Sequence, residues 1–315
     1  MKILFYGRTQ HNSGPENVNK AFYAHLSDLF LPASPQGEIL RDLFKLLRCD
    51  AVVVSGLSRK ACLLTAAGNL LGKKTFCLLH GCAAYEQRLN RQENPGPVRQ
   101  ERFLHKNCRR VLTVSRRYGN WLARQYPHLE HKLDWVNPGL PEMTVCQNTE
   151  KQKASVLAAG ADRPMKNNLP LARAVEELDG AFSLEICGTS YHGDPFAPFR
   201  HTQYLGLLPR EEFWAKLEKT EIFVVNSTVE SFGISPLEAL ARGCSLLVSE
   251  NCGICDLLPL EDTDIIHDPM DTEELKNKLK WIHDHPNNHR LQPKPWTWED
   301  AVARLEMICR KEAGS

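Results

Sequence analysis

The sequence predicts an α/β protein made of two parallel sheets, each covered by helices. Three observations carry this. Short apolar runs suited to buried strands alternate with helical patterns from end to end, as in sheets covered on both faces. The alternation is interrupted once, near the middle, by a polar stretch. The length of 315 residues also exceeds what a single hydrophobic core usually supports.

In the first half the strand-like runs are Ile3 to Tyr6, Ala51 to Val54, Thr75 to Leu79, Arg110 to Val114 and Leu133 to Val136. After N-P-G-L-P (137–141), the polar segment 144–153 is the best linker candidate. The pattern then restarts with Val156 to Ala159, Phe182 to Ile186, Ile222 to Val225, Ser245 to Val248 and Asp264 to Ile266. Two such sheets predict ligand binding at the carboxyl ends of their strands. A terminal helix follows the bend at Pro293 and Pro295, with Trp298, Ala301, Val302, Leu305 and Ile308 at helical spacing. The expected domains are 1–141, 142–296, and a last helix, 297–315, packing back on the first domain.

Composition narrows the function classes. No apolar run approaches the roughly 20 residues that span a bilayer, and the first ten residues lack a signal-peptide core. A cytoplasmic location is therefore expected. The 11 cysteines are scattered, several within apolar runs such as Cys77 and Cys187, and are expected to be reduced. The net charge of +1 conceals an asymmetry: residues 1–142 carry 21 Lys and Arg against 11 Asp and Glu, whereas residues 143–315 carry 18 against 27. A basic first half suits a phosphorylated acceptor, a peripheral contact with an anionic membrane at its inner face, or attraction between the two halves. Without an aromatic-interleaved basic run or zinc-finger spacing, no nucleic-acid partner is expected.

Four motifs could carry chemistry. G-R-T-Q-H-N-S-G-P-E-N follows the first strand, where Gly14 could admit a ligand to the backbone or simply permit a tight turn. It fits neither a dinucleotide fingerprint nor a P-loop. A-A-G-A-D-R-P-M-K-N-N follows the strand that opens the second half, and places Arg163 and Lys166 where a guanidinium and an ammonium could neutralise a diphosphate. V-E-S-F-G-I-S-P-L-E sets Glu230 and Glu238 eight residues apart around a helix start. Ser235 to Glu238 also reads as a capping box, with Glu238 bonding back to the Ser235 amide. Glu230 has no such local explanation, and precedes the free amides of Phe232, Gly233 and Ile234. Finally, L-L-H-G-C puts His80 at a strand end, where it serves either structure or chemistry. Cys252-Gly-Ile-Cys255 has no second pair, so zinc is not expected, and His283, His285 and His289 read as solvated.

Together these residues resemble the retaining glycosyltransferases of the GT-B fold, and are most similar to the large family 4 that uses nucleotide-sugar donors. Glu230 to Glu238 matches the family's E-x7-E motif. Gly14 resembles the glycine of its first loop, His80 the strand-end histidine beside the transferred sugar, and Arg163 and Lys166 the paired cations on the diphosphate. Tyr204-Leu205-Gly206-Leu207 resembles the segment whose backbone meets the base, and W-T-W-E-D-A (296–301) the crossover into the last helix. Departures are the three-residue spacing of the cations, the single Gly14, and a compressed region from Leu29 to Arg48.

The resemblance implies two Rossmann-like domains and transfer of a hexose, best glucose, from a UDP-sugar to a carbohydrate or lipid-linked acceptor in polysaccharide or glycolipid synthesis. Glu230 and His80 would act at the sugar. Gly14, Arg163, Lys166, Phe232, Gly233 and Ile234 would hold the diphosphate and sugar, and Glu238, Leu237 and Leu207 the ribose and base. No metal or other cofactor is implied. Two alternatives are a nucleotide-sugar 2-epimerase and a non-catalytic sugar-nucleotide-binding assembly partner.

Overall fold

A computed structural model describes residues 1–10, 13–35, 38–91, 94–140, 150–190 and 193–313. Most of the linker candidate, 144–149, lies outside the described residues, as do residues 11 and 12 of the first motif. The chain divides into two compact units, residues 1–141 with 296–315, and residues 142–295.

The first unit is a six-stranded sheet of β1 (Ile3–Gly7), β2 (Phe30–Pro32), β3 (Ala51–Ser55), β4 (Lys74–Leu79), β5 (Arg110–Thr113) and β6 (Leu133–Trp135). All pairs are parallel, in the order β2-β1-β3-β4-β5-β6. Every residue of β1 and β3 is buried, as expected of strands covered on both faces. The helices are α1 (Gly14–His25), α2 (Ile39–Leu46), α3 (Arg59–Leu70), α4 (Ala83–Leu89), α5 (Pro95–Asn107) and α6 (Arg116–Gln125). Ser58 and Ser115 start α3 and α6 by accepting the amides of Ala61 and Tyr118 at 3.0 Å. The second unit repeats the design with β7 (Gln152–Ala159), β8 (Ser183–Cys187), β9 (Thr202–Gly206), β10 (Thr220–Val225), β11 (Ser245–Ser249) and β12 (Ile265–Ile266). Their order is β12-β11-β10-β7-β8-β9, again all parallel. It carries α7 (Asn168–Glu176), α8 (Arg210–Lys219), α9 (Ser235–Ala241) and α10 (Thr272–Asp284). Its core packs Val156, Leu171, Ile186, Phe196, Val224 and Leu279 around the central strands.

The last helix, α11 (Trp298–Ala313), belongs to the first unit. Ala301, Leu305 and Cys309 are fully buried, the ring of Trp298 meets Phe22 edge-on at 5.4 Å, and the Trp296 indole donates to the Asn137 carbonyl at 2.9 Å. Arg109 and Arg110 both pair with Glu312, at 2.8 and 2.6 Å. Gly139 is needed here because a Cβ would strike the Trp298 backbone, 2.5 Å away. The structure adds two strands to those read from sequence, β2 and β9. Both lie at sheet edges, and neither has a fully buried apolar run.

Candidate functional site

In the second unit, three neighbouring strands lead into glycines. Gly160 follows β7, Gly188 follows β8 and Gly206 closes β9, with φ of +105°, +126° and +70°, values that side chains rarely adopt. The amides of Gly160 and Ala161 donate to the Cys187 carbonyl at 2.7 and 3.0 Å, and the Gly188 amide to the Gly206 carbonyl at 2.8 Å. A Cβ on Gly188 would sit 2.9 Å from Ala161 N and 3.0 Å from Gly160 Cα. Only a residue without one lets the strand ends approach this closely. They frame an open pocket of about 420 Å³ lined by Gly160, Arg163, Gly188, Thr189, Leu207, Leu208, Arg210, Phe213 and Ser235. It has an apolar wall, two guanidinium side chains and exposed backbone, at the carboxyl ends of parallel strands.

Arg163 is held at the pocket by a 3.3 Å bond from its Nε to the Gly160 carbonyl. The turn that follows is tied to the Asn226–Thr228 loop: Thr228 N donates to Met165 O at 2.9 Å, and Asn226 Nδ2 to Asn167 O at 2.8 Å. Lys166 crosses the face of Gly160, where any Cβ would collide with its stem. Its ammonium pairs with Glu230, and both side chains are about one-fifth exposed, 22% and 21%. Glu230, which lacks a local explanation in sequence, therefore has one in space: it is the counter-ion of Lys166, 64 residues away.

The Glu230 loop is itself pinned. Glu230 N donates to Asn251 O at 3.1 Å, Gly253 N to Glu230 O at 2.9 Å, and Ile254 N to Phe232 O at 2.7 Å. Gly233 has φ +86°, and a Cβ there would lie 3.0 Å from Glu230 Cγ. The amides of Phe232, Gly233 and Ile234 have no backbone acceptor among the described residues. The ring of Phe232 is buried, whereas Ile234 is exposed.

The capping-box reading of Glu238 is overturned. Helix α9 begins at Ser235 with Ile234 as its N-cap, without a side-chain cap, so Ser235 is already inside the helix. Glu238 Oε1 instead accepts from Trp214 Nε1 at 3.1 Å and Arg210 Nη2 at 3.2 Å. Trp214 is in turn stacked by two guanidinium groups, Arg242 at 4.0 Å and Arg210 at 4.5 Å from its centroid. The carboxylate is thus fixed by tertiary contacts at the edge of the pocket that Arg210 and Ser235 line. The side chain of Leu237 is 3% exposed and packs inward, so only its backbone faces outward, while Leu207 is 74% exposed and lines the pocket. At the other end of α9, Gly243 at φ +77° closes the helix. Cys244 N bonds to Ala239 O and Gly243 N to Leu240 O, at 3.0 and 2.9 Å.

In the first unit, Gly14 opens α1, and a Cβ there would meet nothing within 4 Å. The tight-turn explanation therefore fails; local geometry does not demand glycine. His80 follows β4 and is half-buried. Its Nε2 lies 2.8 Å from Ser55 Oγ, which donates to Asn19 Oδ1 at 2.6 Å; Asn19 Nδ2 donates to Arg8 O at 2.9 Å. With its one proton given to Asn19, Ser55 accepts from His80. This assigns the Nε2–H tautomer and leaves Nδ1 as an acceptor. Burial lowers the His80 pKa to about 4, so the ring is neutral near pH 7.

Sequence reasoning did not find Ser55, Asn19, Arg210 or Trp214. Their partners lie 24 to 36 residues away along the chain. The strand-end glycines did leave a signal, in A-A-G, I-C-G and Y-L-G. His283 is not simply solvated: Nδ1 lies 2.7 Å from Glu221 Oε1. Cys252 and Cys255 are buried thiols directed at the carbonyls of Phe232 and Ser249. Among the described residues no group of His, Cys, Asp and Glu is arranged to hold a metal, and no helix is long and apolar enough to cross a membrane.

Comparison with solved structures supports the two-sheet assignment. HepE of Anabaena, solved with UDP and glucose, aligns over 100% of this chain and 98% of its own, with TM-score 0.60 and 13% identity. Sucrose-phosphate synthase of Thermosynechococcus elongatus aligns over 100% of both chains, with TM-score 0.62 and 15% identity. A glycosyltransferase of Rickettsia africae aligns over 98% of both, with TM-score 0.62 and 13% identity. At such identities the likeness establishes the fold alone. No curated protein matches the sequence. Residues 146–294, nearly all of the second unit, match the family described as Glycosyl transferases group 1. The chain thus has the two-sheet GT-B fold, and its residues 146–294 are similar to the glycosyl transferases group 1 family.

Proposed function

We propose that the protein is a retaining, metal-independent glycosyltransferase that moves a hexose, with glucose the best candidate, from a UDP-sugar to a carbohydrate or lipid-linked acceptor. The observation that carries the reading is the glycine-framed pocket of the second unit, with Arg163 on its wall and Glu238 held beside it by Arg210 and Trp214. In this reading the base lies against Leu207, the ribose hydroxyls donate to Glu238, and the diphosphate meets Arg163, Lys166 and the amides from Phe232 to Ile234. As the bond from the sugar to the phosphate breaks, negative charge grows on the leaving UDP. Cations already in place stabilise that charge without a metal.

Glu230 would hold the donor sugar's hydroxyls, which requires Lys166 to leave it for the diphosphate. The acceptor oxygen attacks the anomeric carbon on the face from which UDP departs, and its proton passes to a phosphate oxygen, so configuration is retained. In the same reading Gly14 serves the donor phosphates and neutral His80 the transferred sugar, with Nδ1 available to accept a hydrogen bond from a hydroxyl.

The test is a melting-temperature panel of UDP-, GDP- and ADP-sugars, with and without chelator, because a ligand bound only by the folded state raises apparent stability. The reading expects the largest rise with a UDP-sugar and no effect of chelator. A stabilisation lost on chelation contradicts the metal-free scheme, and no response to any sugar nucleotide contradicts the donor site.

A further inference from the structure

Helix α2 is apolar on two sides, which a helix covering a sheet does not need. Its inward side is accounted for. Leu46 is buried, and so is Asp42, whose carboxylate takes the Ser34 amide at 3.0 Å, the Lys45 ammonium of its own helix at 3.3 Å and the Lys60 ammonium at 2.7 Å, the last tying α2 to α3. The outward side carries Leu40, Phe44 and Leu47, spaced i, i+4 and i+7 on one stripe, with 71%, 70% and 63% of their surfaces exposed. Single exposed leucines are ordinary, but three in register on a short helix are not.

Beside this stripe are exposed Arg41 and, just past the helix end, exposed Arg48, with half-buried Lys45 between them turned to Asp42. The neighbouring α3 adds exposed Leu63 and Leu70 with exposed Arg59, and it contains no acidic residue. The only acid of α5 is Glu101, which is buried and occupied with the amides of Ala83 and Ala84 at 3.0 Å. The exposed charges of α3 and α5 are therefore all positive. The exposed carboxylate at the N-cap of α2, Glu38, pairs with Arg41 at 3.1 Å, an exposed ion pair that a lipid phosphate can replace.

An apolar stripe flanked by cations on a helix lying along the surface is complementary to an anionic lipid interface, with rings and methyls among the acyl chains and guanidinium groups at the headgroup phosphates. We infer that the outward face of α2, extended by α3, docks the protein on an anionic membrane surface without spanning it. The first unit's charge excess acts in the same direction, drawing this face toward negative lipid before the apolar side chains insert.

The experiment is sedimentation of the full chain with extruded vesicles of phosphatidylcholine, with or without one-third phosphatidylglycerol. The wild type is expected to partition at least tenfold more strongly onto the anionic vesicles, with binding weakened by 0.5 M salt. A triple variant, Leu40→Ser, Phe44→Ser and Leu47→Ser, is expected to lose at least tenfold in partitioning with no fall in melting temperature, because these side chains support no core. Arg41→Glu with Arg48→Glu tests the charge arm separately and is expected to abolish the preference for anionic lipid. The inference is overturned if the wild type ignores both vesicle types, if it binds both equally, or if the triple variant sediments like the wild type. It is equally overturned if light scattering shows a dimer that the triple variant dissolves, because the stripe then faces a second copy of the chain.

Discussion

Replacing Glu230 by Gln removes the counter-ion of Lys166 while keeping the side chain's shape, and it separates two roles that are joined in the unliganded protein. In the proposed reading Lys166 must release Glu230 before it can serve the diphosphate. An ion pair about one-fifth exposed on each side lies nearer to a surface pair than to a buried one, so its release costs about 1 kcal/mol, or roughly a fivefold factor in affinity. Glu230→Gln should therefore tighten binding of UDP itself by about fivefold, since the cation is already free. The same change removes a charged acceptor for sugar hydroxyls, worth about 1.5–3 kcal/mol, so kcat/KM with a UDP-sugar should fall roughly 10- to 100-fold. Lys166→Met should weaken both. The assays are calorimetric titration of UDP and coupled detection of UDP release. Weakening of UDP by Glu230→Gln as severe as that by Lys166→Met would refute the reasoning, because the carboxylate would then be supporting the site rather than competing for its cation.

Burial lowers both His80 and His105 to a pKa of about 4, against about 6.5 in the unfolded chain. Between those values the unfolded state binds more protons, so stability is complete above about pH 6.5 and is lost as pH falls toward 4. Urea midpoints should decline over that window, with a shallower slope in His80→Asn; an unchanged slope would place the proton uptake elsewhere. Gly188→Ala combines φ +126° with a Cβ 2.9 Å from Ala161 N, and should cost about 2–4 kcal/mol in a denaturation curve through strain and overlap. A loss below 1 kcal/mol would mean that the strand ends can separate. Trp214→Phe keeps a ring between Arg210 and Arg242 but removes the indole donor to Glu238. Donor affinity should drop severalfold, by about 1 kcal/mol, with little change in melting temperature, and equal losses of both would make Glu238 a structural residue only.

How much the sequence disclosed depended on how local the signal was. Strands β1, β3, β4, β10 and β11 are nearly continuous apolar runs because helices cover both faces, and such runs can be recognised without partners. Strand β9, T-Q-Y-L-G, lies at a sheet edge with no residue fully buried, and β2 spans only three residues ending in Pro32. Neither leaves a periodicity to read. Arg163, Glu230 and Glu238 stood out because each follows a readable strand or lies at a helix start, whereas Leu207 is reached only through the family resemblance of Tyr204 to Leu207. Their physical states did not follow, because those are set across the fold: Lys166 claims Glu230, Trp214 and Arg210 claim Glu238, and Asn19 and Ser55 fix the tautomer of His80. The capping box failed for a related reason. The helix starts one residue earlier than its Ser-Pro signal suggests, and tertiary donors outcompete a local amide.

The central claim is that the pocket of the second unit binds the nucleotide of a sugar donor. Calorimetric titration of UDP into the full chain and into Arg163→Ala tests it most directly. The account predicts a single site in the wild type and at least tenfold weaker binding in the variant. No binding of UDP to the wild type, or undiminished binding to Arg163→Ala, would contradict it.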